Sequence, residues 1–111
     1  MSVKDDSIYI DYMIDCIDRI DEYTQTGREG FMSSSLIQDA VIRNLQTLSE
    51  SSQRLSDSFK DQQLSIPWRD IAGFRNILVH DYLGLDLEVI WSVVEIDLPG
   101  IREALNHSSD S

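Results

Sequence analysis

Pro67 to Tyr82 reads P-W-R-D-I-A-G-F-R-N-I-L-V-H-D-Y, and its apolar residues recur at helical intervals. Trp68, Ile71, Ala72, Leu78 and Val79 form one stripe. Pro67 suits the first position of a helix, because its missing N–H would have had no intrahelical partner. Asp70 in the first turn complements the helix dipole. The helix is predicted to end near His80, ahead of Asp81-Tyr82-Leu83-Gly84. Arg75 falls on the apolar stripe, where a guanidinium is costly unless it is paired or faces a cleft. Phe74 and Ile77 add apolar surface on other sides, so this helix is expected to meet a partner surface as well as a core.

The flanking sequence shows the same period. From Lys4 to Thr24, Ile10, Met13, Cys16, Ile17, Ile20 and Tyr23 recur every three or four residues, with Asp11, Asp15, Asp18 and Glu22 on the other side. T-G-R-E-G, Thr26 to Gly30, is expected to end that helix with its two glycines. A longer helix is predicted over 33–60, capped within Ser33–Ser35, with a break near Ser51–Ser52. A last helix is predicted over 86–105, with Asp86 as N-cap. Its seam of Leu87, Trp91, Val94, Leu98, Ile101 and Leu105 is heptad-like. Pro99 should kink or split it by removing the hydrogen bond to the carbonyl of Glu95. Four long helices with short connections predict an all-α, antiparallel up-and-down bundle of four to five helices. One domain is expected over 1–111, structured from about 5 to 105, with 106–111 as a polar tail.

Asn76 and His80 are four residues apart and share a helix face. Arg75 and His80 are five apart, about 140° around an ideal helix. They converge on one ligand only if the helix loosens near its C-terminus or if two copies meet across a symmetry axis. Tyr82 follows two residues later. Arginine, asparagine, histidine and tyrosine within eight residues suit RNA cleavage. Histidine can take a proton from a ribose 2′-hydroxyl near neutral pH, and arginine can hold the phosphate and the charge of the transition state. Each residue also has a plainer reading. Arg75 can be the ion-pair partner of an acidic helix, and His80 a helix-end histidine favoured by the dipole.

The string R-N-I-L-V-H-D-Y, Arg75 to Tyr82, resembles the Arg, four residues, His, one residue, Tyr motif of HepT-like HEPN-domain proteins. The preceding I-P-W-R-D-I-A-G-F-R-N and the following Y-L-G-L-D-L-E-V-I-W with D-L-P are similar to that family too. D-A-V-I-R-N-L, Asp39 to Leu45, resembles its second helix, and the likeness spans about residues 5 to 105. Asp81 stands where the family most often has glycine. The resemblance implies a helical bundle that dimerises with its motif helices facing, forming a composite cleft. It implies metal-independent RNA cleavage by Arg75 and His80, with Asn76 as polar support. It also implies the toxin role in a type VII-like toxin–antitoxin pair. Tyr82 is then the tyrosine adenylylated by a minimal nucleotidyltransferase antitoxin. ATP and Mg²⁺ belong to that partner, and this chain is expected to need no cofactor. The competing reading is a dimeric, non-catalytic binding subunit of a nucleotidyltransferase complex.

Composition sets bounds on these readings. The chain has 111 residues and a formal net charge of −11, which disfavours generic nucleic-acid binding. Residues 1–30 carry eight acids and three bases, and 81–111 carry seven acids and one base. Residues 31–80 carry five of each and can offer a local basic patch from Arg43, Arg54, Arg69 and Arg75. DNA is not an expected partner. The acidic ends suit either a solvated surface or a docking face for a basic partner. No apolar run is long enough for a membrane span or resembles a secretory signal, and the single Cys16 reads as a buried apolar residue. The expected location is the cytoplasm. Only two histidines occur, His80 and His107, and no metal-ligand spacing is evident. His107 falls in the polar tail and is expected to be inert, while Trp68 and Trp91 read as core.

Overall fold

Helix α1, Val3–Tyr23, places Ile10, Met13, Cys16, Ile17 and Ile20 in the core, as its spacing requires. The computed structural model describes the backbone over residues 3–110 and the side chains of 6–81 and 83–106. At the end of α1 the Thr24 hydroxyl donates to the Ile20 carbonyl at 2.7 Å. Gly27 then turns the chain at φ 79°, a region that favours glycine.

The T-G-R-E-G segment behaves differently from its expected role as a pure terminator. Gly27 breaks α1 but opens a short helix, α2, Gly27–Ser33, which runs through Gly30. Phe31 explains it. Its side chain is completely buried and lies against Trp91 at 5.5 Å between ring centroids. A buried aromatic ring outweighs the roughly 1 kcal/mol that a helical glycine costs.

Ser34 caps α3, Ser35–Gln53, by accepting from the Ile37 N–H at 3.2 Å. Val41, Ile42, Leu45 and Leu48 are buried, and so are Ser49, Ser51 and Ser52. The hydroxyls of Ser49 and Ser52 return to the carbonyls of Gln46 and Ser49 at 2.9 and 2.6 Å, which satisfies them inside the core. They therefore do not break the helix at Ser51–Ser52. The break comes at Arg54–Ser56, and α4, Asp57–Gln62, is a separate element. Asp6 fixes that corner. Its carboxylate accepts from the Ser56 N–H at 2.8 Å and the Ser56 hydroxyl at 2.6 Å, while Ser56 Oγ caps α4 through the Phe59 N–H.

Helix α5, Trp68–His80, starts one residue after Pro67, which occupies the cap position. The Trp68 indole donates to the Gln63 and Lys60 carbonyls at 3.1 and 3.3 Å and holds the α4–α5 connection. A 3₁₀ turn, Tyr82–Gly84, leads to α6, Leu87–Ser92, capped by Asp86 through the Glu88 N–H at 2.9 Å.

The seam from Trp91 to Leu105 is buried as predicted. The irregularity attributed to Pro99 appears one turn earlier. Val93–Asp97 forms a π turn in which the Leu98 N–H bonds the Val93 carbonyl. The helix runs on without a break into α7, Leu98–Asp110, and the turn ahead of Pro99, which has no N–H to donate, takes the wider π geometry. The backbone of α7 stays helical through Asp110 rather than stopping at 105. The His107 side chain lies outside the described residues.

The elements form an all-α bundle. α1 packs on α3 and α7, α3 packs on α5, and α2 bridges α3 and α6. No described helix is long and apolar enough to cross a membrane.

Candidate active site

Helix α5 carries the residues singled out for chemistry, and its burial pattern separates them. Ile71 and Leu78 are buried, and Trp68 and Phe74 pack partly against the core. Arg75 shares the buried side with its side chain 28% exposed. Its stem packs along the bundle and its head reaches the surface.

That head is under-occupied. Arg75 Nη2 lies 3.6 Å from a carboxylate oxygen of Glu50 on α3, beyond hydrogen-bond distance. Nη1 donates to the Asn76 side-chain oxygen at 3.4 Å, a long contact between sequence neighbours. Nε is buried and has no partner among the described residues. A guanidinium offers five N–H donors in a fork that fits a phosphate. Arg75 therefore combines an enclosed Nε with two Nη groups whose only contacts among the described residues are long, and it is these that an anion can take.

Asn76 and His80 are exposed on the solvent side of α5, one turn apart. Of the two routes by which Arg75 and His80 could converge, loosening of the helix does not occur. α5 is regular through His80, and the Asp81 N–H still bonds the Ile77 carbonyl at 3.0 Å. The two side chains leave one helix about 140° apart. The Arg75 head nonetheless bends toward the His80 side, where it meets Asn76.

The turn after α5 is tight. The Gly84 N–H bonds the Asp81 carbonyl at 3.0 Å. A Cβ at Gly84 would meet the exposed Asp81 carboxylate at 2.7 Å, so a larger residue there would have to displace that side chain. Tyr82 opens the turn, but its side chain, and with it the expected exposed hydroxyl, lies outside the described residues. Beside this end of α5 lies an apolar cleft of about 190 Å³ between Phe74 and Ile77 of α5, Leu85, and Val89 of α6. Ile77 and Val89 are each about half exposed there, so α5 does present apolar surface on more than one side.

The four arginines of the middle segment divide. Arg43 and Glu50 are exposed on one face of α3 at a spacing of seven, and exposed Arg54 caps the C-terminus of that helix. Arg75 joins them through Glu50. Arg69 is exposed on the Asn76–His80 side of α5 instead. The acidic ends meet where α1 packs on α7. There Arg102 contacts Asp18 at 2.5 Å and Asp21 at 2.7 Å, and Arg19 pairs with Asp15 at 3.1 Å. Among the described residues no group of three His, Cys, Asp or Glu side chains is placed to hold a metal ion. Glu50 went unnoticed in the sequence. It lies between serines in S-E-S-S, and only the packing register of α3 on α5 brings it to Arg75.

Comparison with known proteins points the same way. A family model described as HepT-like ribonuclease matches residues 13–108. The chain is 37% identical, over 92% of its length, to a Methanocaldococcus jannaschii protein named a gamma-glutamylcyclotransferase and, provisionally, an RNase. It spans 46% of that relative, less than half of its length. A second provisionally named RNase of the same organism is 30% identical, with 93% of this chain and 95% of that protein covered. A protein of Thermococcus cleftensis named "Probable ribonuclease HepT" is 35% identical, covering 85% of this chain and 86% of that one. No solved structure matches the chain.

Proposed function

We propose that this chain, which belongs to the HepT-like ribonuclease family, is the RNA-cleaving toxin of a toxin–antitoxin pair and works as a homodimer. The observation that carries the reading is Arg75, its Nε enclosed and its Nη groups in long contacts, on a helix that ends in an exposed histidine. The family resemblance implies that the motif helices of two copies lie face to face, so the cleft is composite, with Arg75 of one copy facing His80 of another. His80 takes the proton from a 2′-hydroxyl. The 2′-oxygen attacks the adjacent phosphorus, the bond to the 5′-oxygen breaks, and that oxygen takes up a proton. Arg75 stabilises the charge on the non-bridging oxygens, and Asn76 supports it. The chemistry asks nothing of a metal ion.

Control falls to Tyr82. A partner nucleotidyltransferase transfers AMP from ATP, with Mg²⁺, to the phenolic oxygen, and pyrophosphate leaves. The added phosphate competes for Arg75 and the nucleoside fills the cleft. Tyr82→Phe should stay folded and escape silencing. Peptide mapping after incubation with the partner and ATP would show the mass on Tyr82. Mass on Tyr9, Tyr12 or Tyr23 instead would contradict this control.

The test of the function is controlled expression of the wild type beside His80→Ala, reading growth and RNA integrity. The wild type should arrest growth and degrade RNA, and the variant should do neither. Intact RNA at every dose of wild type would favour the non-catalytic binding subunit.

A further inference from the structure

Arg43 and Arg54 are not used by the proposed reaction, although the chain has few cations to spare. Both are exposed, and among the described residues neither forms an ion pair. By contrast Arg19, Arg28 and Arg102 each meet a carboxylate. Arg43 lies on one face of α3 with Thr47 and Glu50, and Arg54 is the residue that caps the C-terminus of that helix. Eleven residues at helical rise would separate the two arginines by about 16 Å along the axis. Thr47 between them turns its hydroxyl back to the Arg43 carbonyl at 3.1 Å, which leaves the stripe to the charged groups. Two acids share the stripe: Glu50, which lies near Arg75, and Asp39, one turn before Arg43.

We infer that the exposed stripe Arg43–Thr47–Glu50–Arg54 of α3 is the track for the phosphodiester backbone of the RNA, on which Glu50 holds Arg75 until a phosphate takes its place. This rests on the ribonuclease reading. The argument is charge complementarity in a chain whose other faces repel a polyanion. Net charge is −11, yet this face presents three guanidinium groups to two carboxylates, Glu50 and Asp39. The Glu50 contact is suited to exchange. At 3.6 Å with Glu50 about half exposed, it is a weak, screened pair. A phosphate oxygen that reaches hydrogen-bond distance is the better partner for the guanidinium fork. Glu50 is thus a positioning residue that acts through Arg75, and Arg43 and Arg54 are backbone contacts that carry no base information.

The experiment separates binding from cleavage. Binding of a fluorescent, fully 2′-O-methylated single-stranded RNA, which lacks the attacking hydroxyl, is measured by anisotropy across a salt series. Unmodified RNA reports KM and kcat in parallel. The proteins are the full-length wild type, Arg43→Gln, Arg54→Gln and Glu50→Gln, whose substituted side chains are exposed and whose helicity is checked by circular dichroism. Arg43→Gln and Arg54→Gln should each weaken binding about tenfold. Each should also lower the salt slope by about 0.7, raising KM and leaving kcat within about twofold. Glu50→Gln should tighten binding about threefold and lower KM. If wild type cleaves RNA but both arginine variants keep its KM and salt slope, the track is wrong and the ribonuclease reading stands. If Glu50→Gln binds more weakly than wild type, Glu50 does not compete with phosphate and the exchange is wrong. If wild type binds along this track but cuts nothing, the inference survives and the ribonuclease reading fails. If wild type neither binds nor cuts RNA, both fall.

Discussion

Arg75 shows what one residue discloses in advance and what it conceals. A guanidinium on an apolar stripe announces a cleft or an ion pair, and the structure has Glu50 nearby, with a buried Nε left without a partner among the described residues. The identity of the counter-ion was not legible, because the register of α3 on α5 is a property of two packed surfaces. Arg75→Lys should fare little better than Arg75→Ala, since a point charge does not replace the fork. Both should lower the rate of RNA cleavage at least about a hundredfold in a single-turnover assay. Cys16 was read correctly as core. Burial, and then the neighbouring Asp15 charge, push its thiol up to about 11 from an ordinary value of 9.0. The thiolate therefore forms more readily in the unfolded chain. This contribution to stability is intact below about pH 9 and is lost as pH rises through about 11. Denaturant midpoints should accordingly fall between those two values, and much less so for Cys16→Ala measured against its own midpoint at neutral pH. At pH 8 the folded protein should resist iodoacetamide and the urea-unfolded protein should react.

The long helices were legible because each repeats its apolar residues often enough to fix a period. The short ones were not. Seven residues of α2 and six of α4 hold too little pattern, and what stabilises them is distant. Phe31 of α2 needs Trp91, and α4 needs Asp6 from the far end of the sequence. Asp6→Ala leaves the Ser56 N–H without its partner at a half-buried corner. It should cost about 1–3 kcal/mol in urea unfolding, and hydrogen exchange should speed up in α4 before the long helices. Phe31→Ala should cost about 3–5 kcal/mol, because it empties a completely buried site. Pro99 was read as the site of a distortion, and the chain places that distortion in the preceding turn. The π geometry there precedes α7 while the seam of Leu98, Ile101 and Leu105 stays buried.

For the whole molecule, helical period and connection length were enough to foresee a bundle, and burial agrees with them. What the sequence could not supply is the meeting of its two acidic ends, which follows from α1 packing on α7. The α3–α5 segment, with five acids and five bases between residues 31 and 80, is the least acidic part of the chain. A composite cleft makes a further demand. Inactive Arg75→Ala and inactive His80→Ala, mixed and allowed to exchange subunits, should recover up to about a quarter of wild-type activity, because half of the dimers hold one intact pairing of the two residues. No recovery, with subunit exchange verified by mass spectrometry, would place both residues in one copy.

The central claim is that this chain cuts RNA with Arg75 and His80. The most direct measurement is single-turnover cleavage of a labelled RNA by the purified chain, free of its partner, in excess EDTA, beside His80→Ala. The account predicts cleavage by the wild type that EDTA does not diminish and a rate at least about a hundredfold lower for the variant. Intact RNA with the wild type in excess, or equal rates for the two proteins, would contradict it.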